Sequence, residues 1–281
     1  MLNTHPTFET FVAVGDSFTE GMSDPDAQGN YRGWADLLAD RLAVDTPTLR
    51  YANLAVRGKL IRQIADEQVD TAVALDGALI SLAGGLNDVL RPRCDVGAVC
   101  AVFEQAAAKL AAGGGHLVLF RSTDPTRRLR SSARLMPRIE RLVEFVDTVG
   151  ARHDATVVDL FTARVFDDPR LWADDRLHLS TEGHRRVAEA TARALGLPGD
   201  DDWRAPLPAA APRTWGDRRR ADARWARTHL GPWLARRATG RSSGDGRAPK
   251  RAELTPWRQG SRPGPGEDLA GPARPTARTS G

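Results

Sequence analysis

Up to about residue 198, short aliphatic or β-branched runs alternate with longer stretches in which apolar residues recur every three or four positions. The short runs predict buried strands over residues 11–14, 50–53, 78–82, 117–120 and 156–159. Between them Trp34, Leu37, Leu38 and Leu42 take helical spacing, as do Leu60, Ile61 and Ile64, and later Ile139, Leu142, Val143 and Val146. Ser180 is placed to cap a last helix running to Ala194. Strands alternating with helices in this way predict a parallel sheet of about five strands, covered by helices on both faces. The glycines Gly113 to Gly115 precede a strand, so they read as a helix-ending turn and not as a phosphate-binding loop.

Beyond residue 200 the pattern changes. Residues 216–229 predict a basic helix, Gly231-Pro232 interrupts it, and residues 233–237 resume it briefly. From Gly240 onward Ser, Gly, Pro and Arg dominate. The chain therefore divides into a globular domain over residues 1–200, a basic, Trp-rich helical extension over 201–238, and a mostly disordered tail over 239–281. Trp225, Leu230, Trp233 and Leu234 give the extension enough apolar mass to pack on the domain, so cutting after Gly240 is expected to leave folding and activity intact.

Composition sharpens this division. The chain has 281 residues, 41% hydrophobic and 27% charged, enough for a sizeable core. Its net charge of +4 splits into −5 over residues 1–200 and +9 over 201–281, so the basic character belongs to the tail. An anionic membrane surface or a nucleic acid could meet Arg218, Arg219, Arg220, Arg224, Arg227, Arg236 and Arg237. Lysine, however, occurs only at 59, 109 and 250, so arginine richness is a habit of the whole chain and packing is the preferred reading. No apolar run is long enough to span a bilayer, and the N-terminus lacks a leader pattern, which together predict a cytoplasmic protein. Cys94 and Cys100, the two cysteines, give neither a disulfide framework nor a four-ligand zinc pattern.

Candidate chemistry concentrates at the ends of the first three strands. Gly15-Asp16-Ser17 follows an apolar run directly, which places a hydroxyl at the carboxyl edge of the sheet, where open α/β sheets build their sites. If the first strand lies between the second and third, the loops holding Gly58 and Gly85-Leu86-Asn87-Asp88 flank Ser17. A glycine there lets a backbone N–H approach a ligand, and an asparagine amide adds a second donor, as an oxyanion hole requires. A serine nucleophile also needs a general base. Of the six histidines, His178 alone sits in a loop with a carboxylate three residues upstream, Asp175. His5, His116, His153, His184 and His229 fall in a terminus, a strand, helix ends or interiors, and the basic extension. The stretch Gly240-Arg241-Ser242-Ser243-Gly244 matches another hydrolase pattern, but no strand leads into it. His178, Glu182 and His184 lack the spacing of a helical metal-binding pair, so no metal or other cofactor is expected.

These four blocks, in this order over residues 10–198, resemble the GDSL, or SGNH, hydrolase superfamily. Phe18 stands where that family's name has leucine, and either residue is apolar. The resemblance implies a flavodoxin-like three-layer α/β/α domain and an esterase or lipase acting on a small-molecule, sugar or lipid ester. It also implies Ser17 as nucleophile, His178 as base oriented by Asp175, and an oxyanion hole of the Ser17 and Gly58 N–H groups with the Asn87 side chain. The competing reading is a non-catalytic binding module on the same fold, with the basic extension as its surface. Trp34 and Trp172 are either pocket walls or core, core being preferred. Pocket walls are expected from residues 22–32, 89–100, 121–134 and 162–174.

Overall fold

The computed structural model describes residues 5–126, 130–199, 201–209, 214–230 and 243–258. Its centre is a strand that is buried on both faces, β1 (Thr10–Gly15). Around it lie β2 (Arg50–Asn53), β3 (Leu79–Ala83), β4 (His116–Arg121) and β5 (Thr156–Asp159), all parallel. A sixth strand, β6 (Arg251–Pro256), runs antiparallel on the outer edge of β2, so the order is β5-β4-β3-β1-β2-β6. The first strand does lie between the second and third, with Gly15 in register with Ala83 and Ala13 with Asn53. That reversal of winding opens a crevice at the carboxyl ends of β1, β2 and β3.

Helices cover both faces because successive strand residues point to opposite sides. Phe11 and Ala13 face one core, where α1 (Ser17–Glu20), α2 (Gly33–Asp45) and α8 (Thr181–Ala194) pack. Val12 and Val14 face the other. There the chain forms α3 (Ile61–Ile64), a π-helical turn over Ala65–Val69, α4 (Asp70–Ala74), α5 (Leu86–Val89), α6 (Val96–Ala111) and α7 (Met136–Arg152). The last helix of the domain starts where the capping pattern places it, with Ser180 Oγ accepting the Gly183 N–H. Beyond the domain, α9 (Trp215–Trp225) continues into a π-helical turn over Ala226–Leu230. Among the described residues, no helix is long and apolar enough to cross a membrane.

The tail departs from the sequence reading. Residues 239–281 were expected to be mostly disordered, yet 251–256 form β6, and the segment leading into it is anchored. Leu254 and Trp257 are buried, the Trp257 ring stands edge-on to Tyr51 with centroids 5.1 Å apart, and its indole N–H donates to Asp40. The Lys250 ammonium donates to the Tyr31 and Arg32 carbonyls and lies 2.7 Å from the buried Asp36 carboxylate. Gly244 approaches the Arg57 carbonyl so closely that any Cβ would overlap it. Composition flags a polar, Arg-rich stretch as unable to build a core of its own. It carries no information about an exposed strand edge elsewhere, and the unpaired edge of β2 supplies the partner here. Trp233, Leu234, Ser242 and residues 259–281 lie outside the described residues.

Candidate active site

The chain leaves β1 through Gly15, whose N–H donates to Gln68 Oε1 and whose carbonyl accepts from Gln68 Nε2, both at 2.9 Å. This buried clamp fixes the strand end from which the next turn projects. Asp16 caps α1 by accepting the Phe18 N–H at 3.0 Å, which leaves Ser17 at the first helical position. A backbone N–H at that position has no acceptor within its own helix.

The loop after β2 is drawn alongside by Leu54 and Val56, which donate to the carbonyls of Ala13 and Gly15. Arg57 then donates its backbone N–H to Glu20 Oε2 at 2.6 Å, and its guanidinium pairs with the same buried carboxylate while lying over the Tyr31 ring. Gly58 follows with φ of +73°, a left-handed conformation that side chains other than glycine disfavour. Sequence reading missed the Glu20–Arg57 pair. Its one visible signal was a lone charge beside each of two glycine-marked blocks.

The loop after β3 starts α5 and presents Asn87. The Asn87 amide nitrogen donates to Asp16 Oδ2 at 3.0 Å and to the Lys59 carbonyl at 3.1 Å, while Asp88 Oδ2 accepts the Ile61 N–H at 2.9 Å. Asp16 therefore joins the first block to the third, a role its own sequence position did not reveal. Burial lifts the Asp16 carboxyl from its ordinary range to about 6, only partly offset by the Phe18 N–H.

Between β5 and α8 the chain forms a narrow turn closed by a bridge between Trp172 and Leu179. Asp175 Oδ1 accepts the N–H groups of Leu177 and His178, and Asp175 Oδ2 lies 2.6 Å from His178 Nδ1. His178 Nε2 in turn lies 3.1 Å from Ser17 Oγ, across 161 residues of sequence. Burial alone would raise the Asp175 carboxyl, but the hydrogen bond and charge of His178, with the two N–H donors, hold it at about 2. The structure thus brings Ser17, His178 and Asp175 into one chain of contacts, with Asn87 and Gly58 on the adjoining loops. Asp174, the neighbouring carboxylate, is exposed.

Trp34 is fully buried against Phe18 and Phe120, and the Trp172 indole donates to the Phe166 carbonyl. Trp34 belongs to the core. A cavity of about 340 Å³ opens beside Asp175, between Ser23, Pro25 and Tyr31 on one side and Asp174 and His229 on the other.

His184 shows how the remaining histidines differ. It is buried in α8, accepts the Trp34 N–H at Nδ1 and donates from Nε2 to the Met22 carbonyl, so its ring is neutral. Burial lowers its pKa from 6.5 to about 4 despite the Met22 carbonyl and Asp24. An unfolded His184 binds a proton between those values and the folded one does not, so stability from this group is lost as pH falls from 6.5 towards 4. Asp16, raised from 3.8 to about 6, acts oppositely over nearly the same window and masks the effect in the native chain. We therefore expect the stability advantage of the native chain over His184→Gln, read from urea melts, to shrink between pH 6.5 and 4 by up to roughly 3 kcal/mol. A difference independent of pH would contradict the neutral buried ring.

A family model described as GDSL-like lipase/acylhydrolase matches residues 13–186. No curated protein matches the sequence. Among solved structures, Axe2, an acetylxylan esterase from Geobacillus stearothermophilus, superposes with a TM-score of 0.57 at 17% identity, over 70% of this chain and 98% of its own. TesA gives 0.56 at 22% identity, over 66% and 97%. LAE5, an alpha/beta hydrolase enzyme from the metagenome of Lake Arreo, Spain, gives 0.56 at 22% identity, over 67% and 95%. At these identities the likeness is one of fold.

Proposed function

We propose, from the premise that this chain belongs to the GDSL-like lipase/acylhydrolase family, that it hydrolyses carboxylic esters through an acyl-enzyme on Ser17. The observation that carries this reading is the unbroken line from Ser17 Oγ to His178 Nε2 and from His178 Nδ1 to Asp175 Oδ2, at 3.1 and 2.6 Å. A hydroxyl is a weak nucleophile until a base takes its proton, and a base is effective when a buried carboxylate fixes its tautomer.

In the reaction, Ser17 Oγ attacks the ester carbonyl carbon while its proton passes to His178 Nε2. The Ser17–carbonyl bond forms and the carbonyl π pair moves onto oxygen. Collapse breaks the bond to the alcohol oxygen, which leaves with the proton from His178. Water then attacks the acyl-enzyme, gives a proton to His178, and Ser17 departs with that proton, releasing the carboxylic acid. Asp175, held at about 2, stays ionised throughout and faces the imidazolium formed in each half.

The developing oxyanion is received by the Ser17 and Gly58 N–H groups and the Asn87 amide. The Asn87 amide donates to Asp16 and to the Lys59 carbonyl. An oxyanion is a stronger acceptor than a neutral carbonyl, since charge-assisted hydrogen bonds are about twice as strong as neutral ones. It therefore displaces the Lys59 carbonyl while the Asp16 bond keeps the amide aimed.

A serine-reactive fluorophosphonate followed by peptide mapping tests the assignment. Label is expected on Ser17 alone, because preorganised donors stabilise the charge at the phosphoryl oxygen as they do at an acyl one. Label on Ser242, or none on a folded sample, would remove Ser17 as nucleophile.

A further inference from the structure

We infer that the helical extension is part of the catalytic apparatus: Trp225, on α9, is a positioning residue that holds the Asp175–His178 turn in its working geometry. The inference rests on the triad reading above.

Three contacts from α9 converge on this one turn. The Trp225 indole N–H donates to the Asp175 backbone carbonyl at 2.8 Å. The Arg176 guanidinium lies 4.9 Å from the centre of the Trp225 ring. The same guanidinium pairs with Asp222, one turn earlier on the helix, at 2.6 Å. Among the described residues, no comparable set of hydrogen bonds and ion pairs ties α9 to another part of the domain.

The turn has reason to need a clamp. Arg176 has φ of +61°, a left-handed conformation that costs a non-glycine residue energy and persists only where surroundings impose it. Within the turn, Arg176 donates its N–H to the Ala173 carbonyl and Ala173 donates to that of His178. Asp175 Oδ1 is occupied with two backbone N–H groups, so the carboxylate is aimed by the turn's own backbone. Any rotation of the Asp175 peptide swings that carboxylate away from His178 Nδ1. The bond from Trp225 fixes the same peptide by its carbonyl and so opposes this rotation. An exposed ion pair such as Arg176–Asp222 adds little alone. Here it holds Arg176 over the indole, and the indole on the carbonyl.

Orientation of the base matters only where His178 moves a proton, so loosening the turn should slow acylation and leave substrate binding largely unchanged. The test uses the full chain and Trp225→Phe, which keeps an aromatic ring beneath Arg176 but loses the indole N–H together with the bulk of its five-membered ring. Asp222→Asn, at an exposed position, serves as the second variant should the first fold poorly. With a chromogenic short-chain ester, Trp225→Phe is expected to lower kcat about tenfold with KM within about twofold. Fluorophosphonate labelling of Ser17, measured well below the melting transition, should slow by a similar factor. Asp222→Asn should move both quantities in the same direction by a smaller amount.

A fall in melting temperature with an unchanged labelling rate would make Trp225 merely structural and overturn the inference. So would a rise in KM at constant kcat, which would place Trp225 against substrate. Failure of the native chain to label at Ser17 would instead overturn the triad reading, and is seen before any variant is made.

Discussion

Ser17→Ala protein will fold normally and lose turnover by roughly 10⁴- to 10⁶-fold, the range seen when a nucleophile that works as a unit with its base is removed. The change deletes one oxygen atom, which lies 3.1 Å from His178 Nε2, so the melting temperature should move little. His178→Ala should cost nearly as much activity. The double variant should be hardly worse than either single one, because a base without its nucleophile has nothing to deprotonate. Asp175→Asn is informative in a different way. It keeps an oxygen able to accept the Leu177 and His178 N–H groups, and so keeps the turn, but replaces the carboxylate facing His178 Nδ1. The rate should fall about 10³- to 10⁴-fold through the wrong tautomer and the loss of charge opposite the imidazolium. Asp174→Asn should change little, since that carboxylate is exposed. If Asp174→Asn were the more damaging, the orienting carboxylate would have been misassigned. A large loss of stability in Ser17→Ala would argue that Gly15-Asp16-Ser17 serves only as a strand-ending turn.

The second large effect is on stability. Because β6 belongs to the sheet, the expectation that a cut after Gly240 leaves folding intact is reversed: a chain ending at Ser242 will melt far below the full chain or fail to fold, although every residue of the proposed triad is retained. Losing the buried Leu254 and Trp257 removes side chains worth about 1.5–3 kcal/mol each in transfer alone. Losing Lys250 leaves Asp36 buried without the cation that faces it, a defect of order 3–5 kcal/mol. Burial already pushes the Asp36 carboxyl upward, and the charge and hydrogen bond of Lys250 are the main influences opposing it. Together these approach the whole stability of a typical domain, about 5–15 kcal/mol. The bare β2 edge and the uncovered Tyr51 ring would also favour aggregation. A chain ending at Arg258 retains β6 and is the control. If the shorter chain melted within a few degrees of that control, β6 would be an accessory of the edge and not a part of the fold. Lys250→Met and Trp257→Ala, made singly, separate the two contributions.

How much of this was legible beforehand follows from what kind of information each feature uses. The runs at residues 50–53 and 156–159 are strands with those bounds, and Ser180 caps the helix to Ala194, because apolar period and capping chemistry are local properties of a dozen residues. The residue types at the ends of the first three strands were legible for the same reason. A strand feeding a Gly-Asp-Ser turn is local, and so is a carboxylate three residues before a histidine. Other features rest on partners far away in sequence. That β1 lies between β2 and β3 is a matter of sheet winding, and only this winding brings Gly58 and Asn87 to the two sides of Ser17. The approach of His178 to Ser17 spans 161 residues, and the bond from Trp225 to the Asp175 carbonyl spans 50. Residues 251–256 have too little apolar mass to specify a strand alone, and form one because β2 offers an unpaired edge and Tyr51 an uncovered ring. The elements of residues 1–198 and the residue types at their ends could be read from neighbours along the chain, because period and turn chemistry are local. Packing of the whole chain settles which loops meet, which edge is covered and which turn is held, because a backbone donor or a buried charge is satisfied by whatever folding brings beside it.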